Sequence, residues 1–300
     1  MSKIEFGTTL SQKELRHKEI DLDFALGEFK NLGLSWMRLA CYWDEIEKQP
    51  GKYDFQTIEK IVSFCEENKI KIIMCLGMKS PRWPEFHLPA HKTNLVHTNL
   101  ISPGDNKKLL KEVIRFNAQC VEQFGKTKAI TVWHIENEAM DVSGPQNLAL
   151  ASSFLAEEIK ALRKKDGRKI LVSLWGNKLL ERSHFPQAIT LGDIVGLDVY
   201  PRVPQKLILG FVHYQTPNTS GLEYVARLVR HSGKELWITE LQAEPWETSE
   251  EVKNSNNPPS FLPKHFQDNL NYALSLSPNT ILFWGSNIGF GKNFTATIVI

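Results

Sequence analysis

Eight short runs rich in β-branched and other apolar residues recur along the chain, separated by stretches with helical periodicity or polar loops. They are Glu5–Thr9, Trp36–Cys41, Lys71–Leu76, Ile130–Ile135, Ile170–Leu174, Ile194–Val199, Leu236–Thr239 and Ile281–Phe283. The run at Ile130–Ile135 is mostly apolar, as a strand covered on both faces should be. Strands alternating with helices build a parallel sheet, and eight such units close into a (β/α) barrel in roughly 250 residues or more. The 300-residue chain has that length, so the sequence predicts one α/β domain over residues 1–300, a (β/α)8 TIM barrel. An open doubly wound sheet is the alternative. No GxGxxG follows the first strand and no GxxxxGK[ST] occurs anywhere, so a nucleotide-binding version of that sheet has no support.

The intervening stretches carry the expected helical period. In Phe55–Asn68, Ile58, Ile61, Val62 and Cys65 fall at i, i+3, i+4 and i+7, which makes one apolar stripe. Lys107–Phe124 repeats this with Leu110, Val113, Ile114, Asn117 and Val121, the Asn being its weak point. Further helices are expected over Gln146–Lys165, Gly221–Ser232 and Lys264–Leu276. Two segments are too long to be plain connectors, Met78 to about Asn106 and Leu241 to about Ser260. Each follows a strand, so both belong to the C-terminal rim, where barrels of this kind keep their active sites. The last sixteen residues, GSNIGFGKNFTATIVI, lack helical length and period, so an atypical extended tail is expected in place of the final helix.

Charge and cysteine content narrow the surroundings. A formal net charge of +2 gives no electrostatic reason to expect nucleic acid or an anionic membrane as partner. No apolar run approaches the roughly 18–20 residues that span a bilayer, and the N-terminus shows no secretory h-region. The four cysteines, at 41, 65, 75 and 120, form no CxxC pair. They read as reduced packing residues of a cytoplasmic protein.

Chemistry concentrates at two strand ends. Trp133-His134-Ile135-Glu136-Asn137-Glu138 closes the fourth strand, and Trp237-Ile238-Thr239-Glu240 closes the seventh. In a closed barrel these ends face each other across the mouth. Two carboxyls about 5–5.5 Å apart, one acid and one nucleophile, are what retaining glycoside hydrolysis requires. Glu136 and Glu244 are nearby decoys: the first reads as a structural partner, and the second lies in a Pro-containing loop.

Asn-Glu closing strand four, Glu closing strand seven and Trp ending strand eight resemble the clan GH-A retaining β-glycoside hydrolases. The stretch RLACYWDEIEKQPGKYDF at 38–55, with WHIENE and TELQAEPW, is most similar to the family 42 β-galactosidases. Glu47-Lys48-Gln49-Pro50-Gly51 departs slightly from that family's turn. The resemblance implies Glu138 as acid/base, Glu240 as nucleophile and Asn137 as the residue bonding the sugar 2-hydroxyl. It further implies that Arg38 holds the nucleophile, that Tyr200 lies beside it and that Trp284 is the platform under the sugar. Asp198 is a candidate to point into the barrel and hold a neighbouring Arg or Lys.

The tryptophans point to sugar independently, since most fall at or after strand ends and sugar C–H faces dock on aromatic rings. Trp284, then Trp246 and Trp83, are the candidates, while Trp36 and Trp237 read as packing. Lys79, Arg82 and Glu85 are candidate hydroxyl ligands. His87 and His91 have metal-like spacing, but Pro89 between them prevents the helix that would converge them. The sequence thus predicts a glycosidase working without metal or organic cofactor on β-linked oligo- or polysaccharides, by double displacement. β-Galactoside is the first substrate expected, with β-glucoside and β-mannoside next. The alternative is a catalytically weak carbohydrate-binding barrel with a defective C-terminus.

Overall fold

A computed structural model describes residues 4–176, 184–206, 212–215 and 219–285. Eight parallel strands form a closed barrel. They are β1 (Glu5–Leu10), β2 (Trp36–Ala40), β3 (Lys71–Leu76), β4 (Ile130–Ile135), β5 (Lys169–Trp175), β6 (Ile194–Val199), β7 (Glu235–Gln242) and β8 (Thr280–Trp284). Each strand pairs with its neighbours in sequence, and β8 returns to β1 with Glu5 opposite Thr280. The longer helices between them are α1 (Leu22–Asn31), α2 (Gln56–Glu67), α3 (Lys107–Phe124), α4 (Ser152–Arg163), α5 (His184–Leu191), α6 (Thr219–His231) and α7 (Pro263–Ser275).

Strand alternation sorts the side chains into an inner and an outer set. Trp36, Ile73, Val132, Leu171, Ile194, Trp237 and Leu282, one from each of β2 to β8, form one buried cluster in the lumen. Trp36 and Trp237 meet edge to face at 4.8 Å, in the packing role expected of them. The remaining strand, β1, contributes Gly7, where a Cβ would sit 2.3 Å from the Trp36 carbonyl oxygen. Only a glycine leaves room there for the Trp36 carbonyl and Cβ and the Leu282 side chain. The alternate residues, among them Met37, Leu39, Trp133, Ile135, Val195 and Leu197, join the larger core beneath the helices.

The helical stripes mostly follow the sequence pattern. On α2 the buried residues are Ile58, Ile61, Val62 and Cys65, as predicted. On α3 the expected Val113, Asn117 and Val121 are buried, joined by Leu109, Phe116, Cys120 and Phe124, whereas Leu110 and Ile114 are half-buried, so the buried face is broader than expected and shifted to one side. The helix expected from Gln146 starts later, at Ser152. Its first residues instead form a turn and a short strand, Ala149–Leu150, which pairs with Leu100–Ile101 of the loop after β3. The backbone groups a helix would have used are committed to that pairing. Both long loops also contain local structure, a 3-10 helix at Ala90–Leu95 and a helical turn at Glu250–Lys253. The tail expected to be extended falls almost wholly on residues 286–300, outside the described residues.

Candidate active site

The mouth of the barrel is organised around one guanidinium. Arg38 follows Trp36 by two along β2, so it faces the lumen one layer above that indole, and it is fully buried. Its Nη2 donates to Glu240 Oε1 at 2.5 Å, its Nη1 to Asn137 Oδ1 at 3.2 Å and its Nε to Thr9 Oγ1 at 2.8 Å. Tyr200, just past β6, donates its hydroxyl to the other Glu240 oxygen. Burial first, then the Glu240 and Asp198 charges, push the Tyr200 phenol well above its usual range, so it stays a donor.

Two backbone irregularities aim the glutamates. Trp237 and Thr239 face the lumen, so strict alternation would turn Glu240 outward with Ile238. Between β6 and β7 the register instead slips: Ile238 pairs with Leu197 and Glu240 with Asp198, leaving Thr239 as an extra residue. Bulges of this kind re-aim side chains beside active sites, and here the bulge brings Glu240 to Arg38. At the end of β4, Glu136 has φ +57° and Glu138 φ +46°. These left-handed residues break the alternation set by Val132 and His134, so Glu136 leaves the lumen while Asn137 meets Arg38.

Glu138 is buried, and its Oε1 has no protein hydrogen-bond donor. Burial first, then the charges of Asp198 and Glu240, push its carboxyl well above the usual range. A group so placed favours its protonated form. Asp198 faces the lumen, accepts from Thr239 Oγ1 at 2.5 Å and also bonds the Glu138 side chain. It points into the barrel as expected, but its bonds are to Thr239 and Glu138, and Arg38 acts on it only through its charge.

Ser173 on β5 is a contributor that sequence reasoning missed. Its Oγ accepts the Glu138 backbone N–H at 2.9 Å and lies 3.0 Å from His134 Nε2. Burial, then the Arg38 charge, drives that imidazole well below its usual pKa and keeps it neutral. Period-two alternation along β5 places Ser173 inward with Leu171, but a serine in an apolar strand carries no signal of its own.

The aromatic candidates separate. Trp175, Tyr200 and Trp246 form a cluster with ring centroids 4.9–5.4 Å apart, and Trp246 remains 41% exposed. Trp284 is half-buried, with the Arg82 guanidinium 4.1 Å and the Arg38 guanidinium 5.6 Å from its ring centre. Trp83 is 70% exposed on the loop after β3.

The lesser candidates have other partners. Arg82 pairs with Glu244 at 2.9 Å, tying the loops after β3 and β7 together. Lys79, expected as a hydroxyl ligand, is buried and donates to the carbonyls of Glu138 and Asp141 at 2.6 and 2.8 Å. Glu85 lies 3.7 Å from Lys79. His87 contacts Lys13 at 2.9 Å, and His91 lies 3.7 Å from Glu47, so the two rings serve different neighbours.

Residues 14–157 match the Glyco_hydro_42 family model, described as beta-galactosidase. The beta-galactosidase LacZ of Lactobacillus acidophilus is 21% identical over 192 residues, covering 60% of this chain and 28% of that protein. Among solved structures, the beta-galactosidase of the psychrophilic Marinomonas ef1 superposes with TM-score 0.66 at 12% identity, over 93% of this chain and 54% of that one. The exo-beta-1,4-mannosidase Op5Man5 from Opitutaceae bacterium strain TAV5 gives 0.68 at 14%, over 94% and 52%. Xylanase 10B of Thermotoga maritima gives 0.61 at 15%, over 94% and 83%. The chain therefore spans about half the length of the first two structures and little more than a quarter of the curated relative. Its resemblance is to the family 42 β-galactosidases over residues 14–157, on a TIM barrel.

Proposed function

We propose that the chain is a retaining β-glycoside hydrolase, with β-galactosides as first substrate and β-glucosides or β-mannosides next. The observation that carries this reading is the pairing of two differently prepared carboxyls at one barrel mouth. Glu240 is gripped by Arg38 and Tyr200, while Glu138 is buried among like charges that favour its proton. A Glu240 oxygen attacks the anomeric carbon as the glycosidic C–O bond breaks, and the Glu138 proton passes to the leaving oxygen. The nucleophile's charge is then lost in the ester, so Glu138 becomes more acidic and its carboxylate can take a proton from water. That water's oxygen attacks the anomeric carbon, the bond to Glu240 breaks, and both side chains return to their starting states. Asn137, held by Arg38, is assigned to the sugar 2-hydroxyl. Trp284, Trp246 and Trp83 are assigned to sugar faces, in that order.

The setting proposed is one cytoplasmic domain acting on a carbohydrate, without nucleic acid or membrane as partner. Four buried free cysteines support a reducing compartment, and no described helix is long and apolar enough to cross a membrane. A second reading, a barrel that binds sugar with little turnover, is favoured by one observation: Arg82 lies over the Trp284 ring, partly covering the platform.

An aryl β-glycoside panel on wild type, Glu138→Gln and Glu240→Gln separates the readings, with the first-formed anomer followed by NMR. The enzyme reading expects β-product first and losses of about a hundredfold or more in both variants. Binding without turnover, or α-product first, overturns it.

A further inference from the structure

Outside the mouth, two buried carboxyls meet with too few donors between them. Glu136, behind β4, accepts the backbone N–H groups of Met78 (3.0 Å) and Lys79. Its carboxyl also bonds the side chain of Glu158 on α4. Glu158 is 1% exposed, accepts from Asn117 Nδ2 at 3.2 Å through Oε1, and has no protein donor on Oε2. Two ionised carboxylates cannot share a hydrogen bond, so one oxygen must carry a proton. Glu136 is the acceptor by geometry, because both backbone N–H groups point at it.

We infer that Glu158 is a neutral carboxylic acid donating to Glu136, and that this dyad is a positioning device fixing the loop after β3 against the end of β4. The connection runs in both directions. Glu136 holds the loop's N–H groups, and the loop's Lys79 reaches back to the carbonyl of Glu138 at 2.6 Å. Backbone bonds complete the strap, from Glu136 N–H to Leu76 O at 2.9 Å and from Asn137 N–H to Lys79 O at 2.7 Å. Asn117, the polar break in the apolar stripe of α3, is explained as the residue that orients Glu158. The dyad therefore sets the backbone from which Glu138 projects, without touching a substrate.

Both groups are displaced upward, chiefly by burial: Glu136 to about 7, and Glu158 well above the carboxylate range with the Glu136 charge as second cause. The groups facing the pair are the Lys79 ammonium and Cys75 thiol from β3 and its loop, and Asn117 from α3. Lys164 and Lys165 line a cleft of about 320 Å³ between α3 and α4, which Glu158 and Asn117 also line. That cleft gives the proton a route to solvent. Because Glu158 keeps a proton in the folded chain that it releases when unfolded, its contribution is full below pH 4.5 and fades as pH rises through its folded value.

The test compares thermal unfolding of wild type, Glu158→Gln and Glu158→Leu from pH 6 to pH 8, with amide exchange at Met78 and Lys79. Glutamine donates as the acid does but cannot ionise. E158Q should therefore melt near wild type at pH 6, and its Tm should fall less steeply as pH rises, the difference reaching at most about 3 °C per pH unit. E158L should melt lower and expose the Met78 and Lys79 amides to faster exchange. An E158Q slope equal to that of wild type overturns the inference, as does unchanged protection in a folded E158L; if E158L fails to fold, the E158Q slope decides alone. None of these readouts depends on glycosidase activity, so this inference and the proposed function can fail separately.

Discussion

Arg38 Nη2 lies 2.5 Å from Glu240 Oε1 while Nη1 of the same guanidinium lies 3.2 Å from Asn137 Oδ1, so one side chain ties together the ends of β2, β4 and β7. Removing it strands a buried carboxylate without its cation. Arg38→Ala should destabilise the chain by about 3–5 kcal/mol, the usual effect of breaking a buried pair. Arg38→Lys restores the charge but not the planar fork, so it should recover part of the stability and little activity. Urea unfolding read beside kcat/KM distinguishes the two effects.

Glu138 as general acid predicts a dependence on the leaving group. Glu138→Gln should lower kcat/KM by about 10²–10⁴-fold for a phenyl glycoside, whose oxygen needs the proton. A dinitrophenyl glycoside departs without help and should lose far less in the bond-breaking step. Equal losses for both substrates would move the acid role to another residue.

The pH profile carries a second prediction about the same group. Burial, then Asp198 and Glu240, raise the Glu138 carboxyl well above the usual carboxylate range, and as the general acid its ionisation should set the basic limb of kcat/KM. Asp198→Asn removes one of the charges that opposes ionisation. The basic limb should then move to lower pH, as measured from kcat/KM across the range. A limb that stays in place or moves upward contradicts the assignment.

Gly77 tests how the end of β4 is held. It has φ +106°, and a Cβ there would sit 2.3 Å from the Glu136 carboxyl carbon. Gly77→Ala should destabilise the chain by at least about 1–3 kcal/mol from backbone strain alone. It should also displace Glu136 from the Met78 and Lys79 N–H groups. Denaturant melts measure the first effect and amide exchange the second.

The barrel was legible in the sequence because strand positions depend on local apolar content. Seven of the eight runs fall within two residues of the observed strands at each end; β7 extends three residues further, to Gln242. The packing roles of Trp36 and Trp237 followed from their places early in the strands. What aims Glu240 and turns Glu136 aside was not legible. The bulge at Thr239 depends on the register against β6, and the left-handed φ of Glu136 depends on N–H groups supplied by the loop after β3. Neither partner is near in sequence. The same holds for α4, whose expected first turn is diverted into pairing with Leu100–Ile101. Ser173 and Glu158 were missed because a polar residue in an otherwise regular element discloses its partner only in three dimensions.

Inactivation with a 2-deoxy-2-fluoro-β-galactoside, followed by mass-spectrometric mapping of the adduct, tests the central assignment most directly. One fluorosugar per chain is expected, bound to Glu240 and absent from Glu240→Gln. An adduct on Glu136, Glu244 or any other residue, or steady turnover with inversion at the anomeric carbon, would contradict it.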